Sequence, residues 1–100
     1  TLDSLLRANT LRLQEHADIV RRERRTAQLL AEQLRLVRRH ALPDDAWRYD
    51  QMIGKAEKLE QYFRSMADQV DHMSFKLAQL SLEINRMLSE AGNQLDSRNK

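Results

Sequence analysis

The sequence has no cysteine, one proline, two glycines and only five aromatic residues. Without cysteine the chain can build no disulfide framework, no thiolate metal site and no thiol nucleophile, and an intracellular setting, cytoplasmic or nuclear, fits that usage. Long hydrophobic runs are missing as well. No uncharged stretch approaches the roughly 20 apolar residues of a membrane-spanning helix, and the N-terminus carries no apolar signal core. Glycine-rich phosphate loops and strand-turn-helix nucleophile elbows are absent, and two straight helices cannot assemble a Ser/His/Asp constellation. The chain therefore reads as non-enzymatic and without a cofactor. What is present is a chain with 41% hydrophobic and 32% charged residues and a mean hydropathy of -0.73. With so little glycine and proline, that is the composition of long amphipathic helices and not of a disordered segment. Thr1 and the polar end Ser97-Arg98-Asn99-Lys100 read as the limits of a segment excised from a larger protein.

The dominant pattern is a run of apolar or small residues at unbroken steps of three and four: Tyr49, Met52, Ala56, Leu59, Phe63, Met66, Val70, Met73, Leu77, Leu80, Ile84, Met87 and Ala91. That spacing is the heptad seam of a coiled coil. The one strong interruption of helix is Leu42-Pro43-Asp44-Asp45. Pro43 removes a backbone donor and disfavours helix at Leu42, while either aspartate can cap a new helix. The spacing predicts one all-α domain: helix 1 over residues 1–41, a turn over 42–45, and helix 2 over 46–100 with a frayed C-terminal tail. So short a turn folds the chain into an antiparallel hairpin. Helix 2 is the longer, so Met87, Leu88, Ala91 and Leu95 extend past the end of helix 1. Gly54 permits close approach near the turn, and Gly92-Asn93 offers a C-cap.

Helix 1 places Leu6, Leu13, Val20, Ala27, Leu34 and Ala41 at one seam position. Leu2, Asn9, His16, Glu23, Leu30 and Val37 take the alternate one. Three consecutive polar residues there make it a poorer seam than helix 2, in which every seam position from Leu59 to Met87 is apolar. Charge is divided too. Residues 1–41 hold nine arginines against five acids, and residues 42–100 hold eight lysines and arginines against ten acids. An antiparallel hairpin lays these opposite signs side by side. The four methionines at seam positions are flexible fillers, and together with Phe63 and Val70 they favour a three- or four-helix bundle over a two-stranded zipper.

Arg21, Arg22, Arg24 and Arg25 form the one candidate anion contact, for nucleic acid or anionic lipid. On a helix they spread around the circumference, Glu23 interrupts them, and helix 1 has no aromatic residue for a base to stack on. Nucleic acid is accordingly an improbable partner. His16 and His72 approach each other across an antiparallel hairpin with Glu15, Asp68 and Asp71 in the neighbourhood, but neither the HExxH spacing nor a cysteine pair supplies the converging ligands of a zinc site. Trp47 and Tyr49 form an aromatic plug over Leu36, Val37 and Ala41, or else a docking knob.

The stretch Lys55-Ala56-Glu57-Lys58-Leu59-Glu60, with Met66-Ala67, Val70, Met73 and then Glu83-Ile84-Asn85, resembles the C-terminal coiled-coil region of the 62-kDa central-channel nucleoporin family. The resemblance covers residues 55–85 and does not extend to helix 1. It implies a triple coiled coil with two other nucleoporins and a place at the nuclear pore as a scaffold that anchors FG-repeat domains. The residues alone lead to a broader expectation, a structural oligomerisation or scaffold module. Its partner interface is Phe63, Met66, Val70, Met73, Leu77, Leu80, Ile84, Met87, Leu88 and Ala91, and its partner is a second copy or a heterologous coiled-coil subunit. A membrane-trafficking tether or SNARE-like bundle helix is the alternative, and an Arg-rich nucleic-acid or lipid-binding helix a further one.

Overall fold

The computed structural model describes residues 1–99. They form two α-helices, α1 (Leu2–Arg38) and α2 (Ala46–Asn99), joined by a turn that contains one 3-10 segment, Pro43–Asp45. This is the all-α hairpin with a long second helix that the periodicity predicts.

The ends of α1 follow from its sequence. Thr1 caps it, its hydroxyl accepting from the Ser4 amide at 3.2 Å, and Asp3 lies in the first turn, at the positive end of the helix dipole. Arg35 and Arg38 occupy the last turn, at the negative end. The helix stops at Arg38 and not at Ala41. Pro43 forces Leu42 into an extended conformation (φ -64, ψ 147). The preceding residues tighten instead, with the His40 amide donating to the Val37 carbonyl and the Ala41 amide to that of Arg38. Asp44 and Asp45 sit inside the 3-10 turn, whose cap, Leu42, makes no side-chain hydrogen bond.

α2 passes through Gly92-Asn93 without a break and is helical to Asn99; Lys100 lies outside the described residues. No glycine has a positive φ among them, and the roughly 1 kcal/mol that a glycine costs inside a helix does not end one this long. At 1.5 Å per residue α1 spans about 55 Å and α2 about 81 Å. The hairpin measures 87 × 15 × 13 Å with a radius of gyration of 23.7 Å, against about 13 Å for a compact chain of this length.

The seam between the helices differs from the expected one by a single residue in every heptad. In α1 the buried residues are Ala17, Val20, Ala27 and Ala31. In α2 they are Ile53, Ala56, Ala67 and Val70. Half-buried Leu6, Leu13, Arg24 and Leu34 continue the first set, and Tyr49, Glu60, Phe63, Ser74, Leu77, Ser81 and Ile84 the second. One seam position in each helix is therefore the expected one. The alternate position is not His16, Glu23 and Leu30 but Ala17, Arg24 and Ala31, and it is not Met52, Leu59, Met66, Met73 and Leu80 but Ile53, Glu60, Ala67, Ser74 and Ser81.

α1 dictates this choice. Turning its other edge inward would bury Asn9, His16 and Glu23, whose desolvation nothing on α2 offsets, whereas alanines at 17, 27 and 31 let the two backbones approach closely. The α2 seam is consequently not apolar throughout, because Glu60, Ser74 and Ser81 belong to it. Val20 and Val70, each 2% exposed, are its best-covered branched residues, each worth about 1.5–3 kcal/mol of burial.

Candidate assembly surface

Ion pairs mark the register of the hairpin and occupy one flank of it. Arg21 Nη2 lies 3.1 Å from Asp71 Oδ1, and Arg35 pairs with Glu57. Moving two heptads up α1 from Arg21 to Arg35 moves the partner two heptads down α2, as an antiparallel pairing demands. Arg38 donates to Asp50 through Nε and Nη2. Within the seam Arg24 Nε donates to Glu60 Oε1 at 2.8 Å, and Gln28 Nε2 donates to the same oxygen. The Glu60 side chain is 18% exposed. The Arg24 hydrogen bond holds its carboxyl below the usual range against the opposing effect of desolvation. Hydrogen bonding to Asp50 likewise raises Arg38 above its ordinary value. Pairs as exposed as Arg21–Asp71 add little stability. They mark the antiparallel register, and the more covered layer at Arg24 and Glu60 lies within it.

The opposite flank has the other chemistry. Met52, Leu59, Met66, Met73, Leu80 and Met87 recur every seventh residue along α2, next to the seam but outside it, and all except half-buried Met66 are exposed. Leu2, Leu30 and Val37 of α1 border the same flank and are exposed too. The ten residues proposed from sequence for the partner interface thus fall into three groups. Phe63, Val70, Leu77 and Ile84 lie in the seam, and Val70 has no surface left for a partner. Met66, Met73, Leu80 and Met87 line the open flank, with Met87 65% exposed. Leu88 and Ala91 lie past the first turn of α1 and are exposed, as is Leu95.

The remaining candidates disperse. Of the four clustered arginines, Arg21 bonds to Asp71 and Asp18 and Arg24 to Glu60. Arg22 and Arg25 make no ion pair among the described residues. His16 and His72 are exposed, and no group of three or more His, Cys, Asp or Glu could hold a metal ion among the described residues. Trp47 is exposed, beneath the Arg48 guanidinium at 5.5 Å, so the expected aromatic plug reduces to half-buried Tyr49. Gly54 faces open space, with nothing within 4 Å of where a Cβ would stand, and so serves no close approach. No helix among the described residues is long and apolar enough to cross a membrane.

The hairpin exposes 8384 Å², whereas a compact monomer of this mass exposes about 5,900 Å². The excess of roughly 2,500 Å² goes with its elongated shape.

No protein-family model matches the chain, and no curated protein or solved structure is significantly similar to it.

Proposed function

We propose that this chain is a non-enzymatic assembly element, a helical hairpin that holds a larger complex together by burying the apolar flank of α2 against further helices in a three- or four-helix bundle. The observation that carries this reading is the exposed line Met52, Leu59, Met73, Leu80 and Met87, at heptad spacing beside a seam that is already filled. A helix with two adjacent apolar edges has two neighbours to satisfy, and α1 satisfies one of them. Methionine suits the vacant edge because its unbranched chain adapts to an irregular partner surface. A nuclear-pore-type scaffold, as the resemblance of residues 55–85 implies, and a membrane-trafficking tether are two settings for this same role.

The test is light scattering on the chain and on a variant carrying Met73→Asp with Leu80→Asp. Both side chains are exposed in the hairpin, so the substitutions spare its seam. In an assembly they bury unpaired carboxylates at several kcal/mol per site. The expected result is a mass above that of one chain for the native sequence and a helical single chain for the variant. Identical masses for the two proteins at every concentration would overturn the reading.

A further inference from the structure

We propose that the partner on this flank is a second copy of the chain, packed with its turn at the opposite end, α2 against α2 and α1 against α1, about a two-fold axis that crosses the hairpin between Met66 and Met73. The proposal rests on the assembly reading above and deepens it. A two-fold contact requires a surface complementary to its own reversed image. The α2 edge has that property, because Met52, Leu59, Met66, Met73, Leu80 and Met87 run Met-Leu-Met-Met-Leu-Met in either direction. About the proposed axis Met52 meets Met87 of the second copy, Leu59 meets Leu80, and Met66 meets Met73, each like in size to its partner.

In the register of the ion pairs, the midpoint of the α2 edge lies level with the stretch of α1 between His16 and Glu23. The same axis therefore crosses the α1 edge within that stretch and brings the polar residues His16 and Glu23 of the two copies near one another. At the rim of α2 it sets exposed Lys55 against Glu83. The alternative face-to-face dimer, with both turns at one end, lays α2 of one copy over α1 of the other. That arrangement presses Met66, Met73 and Leu80 onto Glu23, His16 and Asn9, and covering a carboxylate with methionine is disfavoured. Matching apolar edge to apolar edge thus selects the arrangement with opposed ends.

Because the chain contains no cysteine, one introduced thiol reports each distance without ambiguity. Spin labels at Arg48→Cys and, separately, at Gln69→Cys, both exposed positions, are read by pulsed dipolar spectroscopy alongside the mass from light scattering. The expected result is a dimer with the labels at position 48 roughly 65 Å apart, from 1.5 Å per residue, and those at position 69 within about 20 Å. A dimer or larger assembly with short distances at both positions overturns the proposed geometry and leaves the assembly reading standing. A single-chain mass with no dipolar coupling in either protein overturns both.

Discussion

Replacing Ala31 by leucine tests the register of the hairpin directly. Ala31 is 4% exposed, and the register sets it level with Ala56, also 4% exposed. Two alanines facing each other leave no room for the three extra carbons of a leucine, so either the new side chain leaves its preferred rotamer or the helices part. Overpacking of this kind costs about 1–3 kcal/mol, and the upper half applies here because parting the helices also uncovers Ala27 and Ile53. For a domain of this size 1 kcal/mol moves Tm by about 4–8 °C, so a cost of about 2 kcal/mol lowers it by roughly 8–16 °C. Thermal unfolding followed by circular dichroism at matched protein concentration makes the measurement, since association would shift Tm by mass action. Leu29→Ala, two residues away on the exposed side of α1, is the control and should stay within about 0.5 kcal/mol of the native chain. Had the alternate seam position been Leu30 and not Ala31, residue 31 would face outward and leucine there would be nearly neutral. A Tm within about 2 °C of the native value for Ala31→Leu refutes the register and, with it, the identity of the open flank.

Gly54→Ala should stabilise the hairpin by about 1 kcal/mol, because alanine is the better helix former and its methyl group enters open space; an unchanged or lower Tm would contradict the open environment described for this residue. Glu60 carries a pH dependence whose sign follows from its lowered pKa. A carboxyl held below its unfolded value of 4.5 contributes stability that is fully present above that value and is lost as pH falls through the folded one. Glu60→Gln should therefore lower Tm near neutrality and flatten its decline as pH falls below about 4.5; parallel Tm profiles for the two proteins would remove Glu60 from the account. The paired carboxylates Met73→Asp and Leu80→Asp should reduce the assembly to single chains without loss of helicity, as light scattering and circular dichroism together will tell.

Helix content, the site of the turn and the hairpin itself were legible in the residues. Pro43 is the one proline, apolar residues recur at helical spacing on both sides of it, and a short turn brings the two apolar faces together. One seam position in each helix was legible as well, since Leu13, Val20, Phe63 and Val70 belong to any apolar edge that can be drawn. The presence of apolar surface on α2 beyond what one neighbour covers was also there to be read. Two further signals lie in the residues: Ala17, Ala31 and Ala67 join Ala27 and Ala56 in a seam of small side chains, and Arg24 with Glu60 form an oppositely charged pair at matching heights in an antiparallel hairpin.

Sequence alone settled that this chain is two helices folded back on each other, because a heptad pattern and a single proline are local properties that need no partner to act. Tertiary packing decided which edge of α2 the hairpin consumes. Hydrophobicity summed along α2 favours burying the methionines and leucines, but α1 can meet them only by burying Asn9, His16 and Glu23. The pair therefore settles on the adjacent edge, where small side chains and the Arg24–Glu60 layer fit, and the more apolar edge is left outside. That outcome depends on both helices at once and on the cost of desolvating polar groups between them, which neither helix records separately.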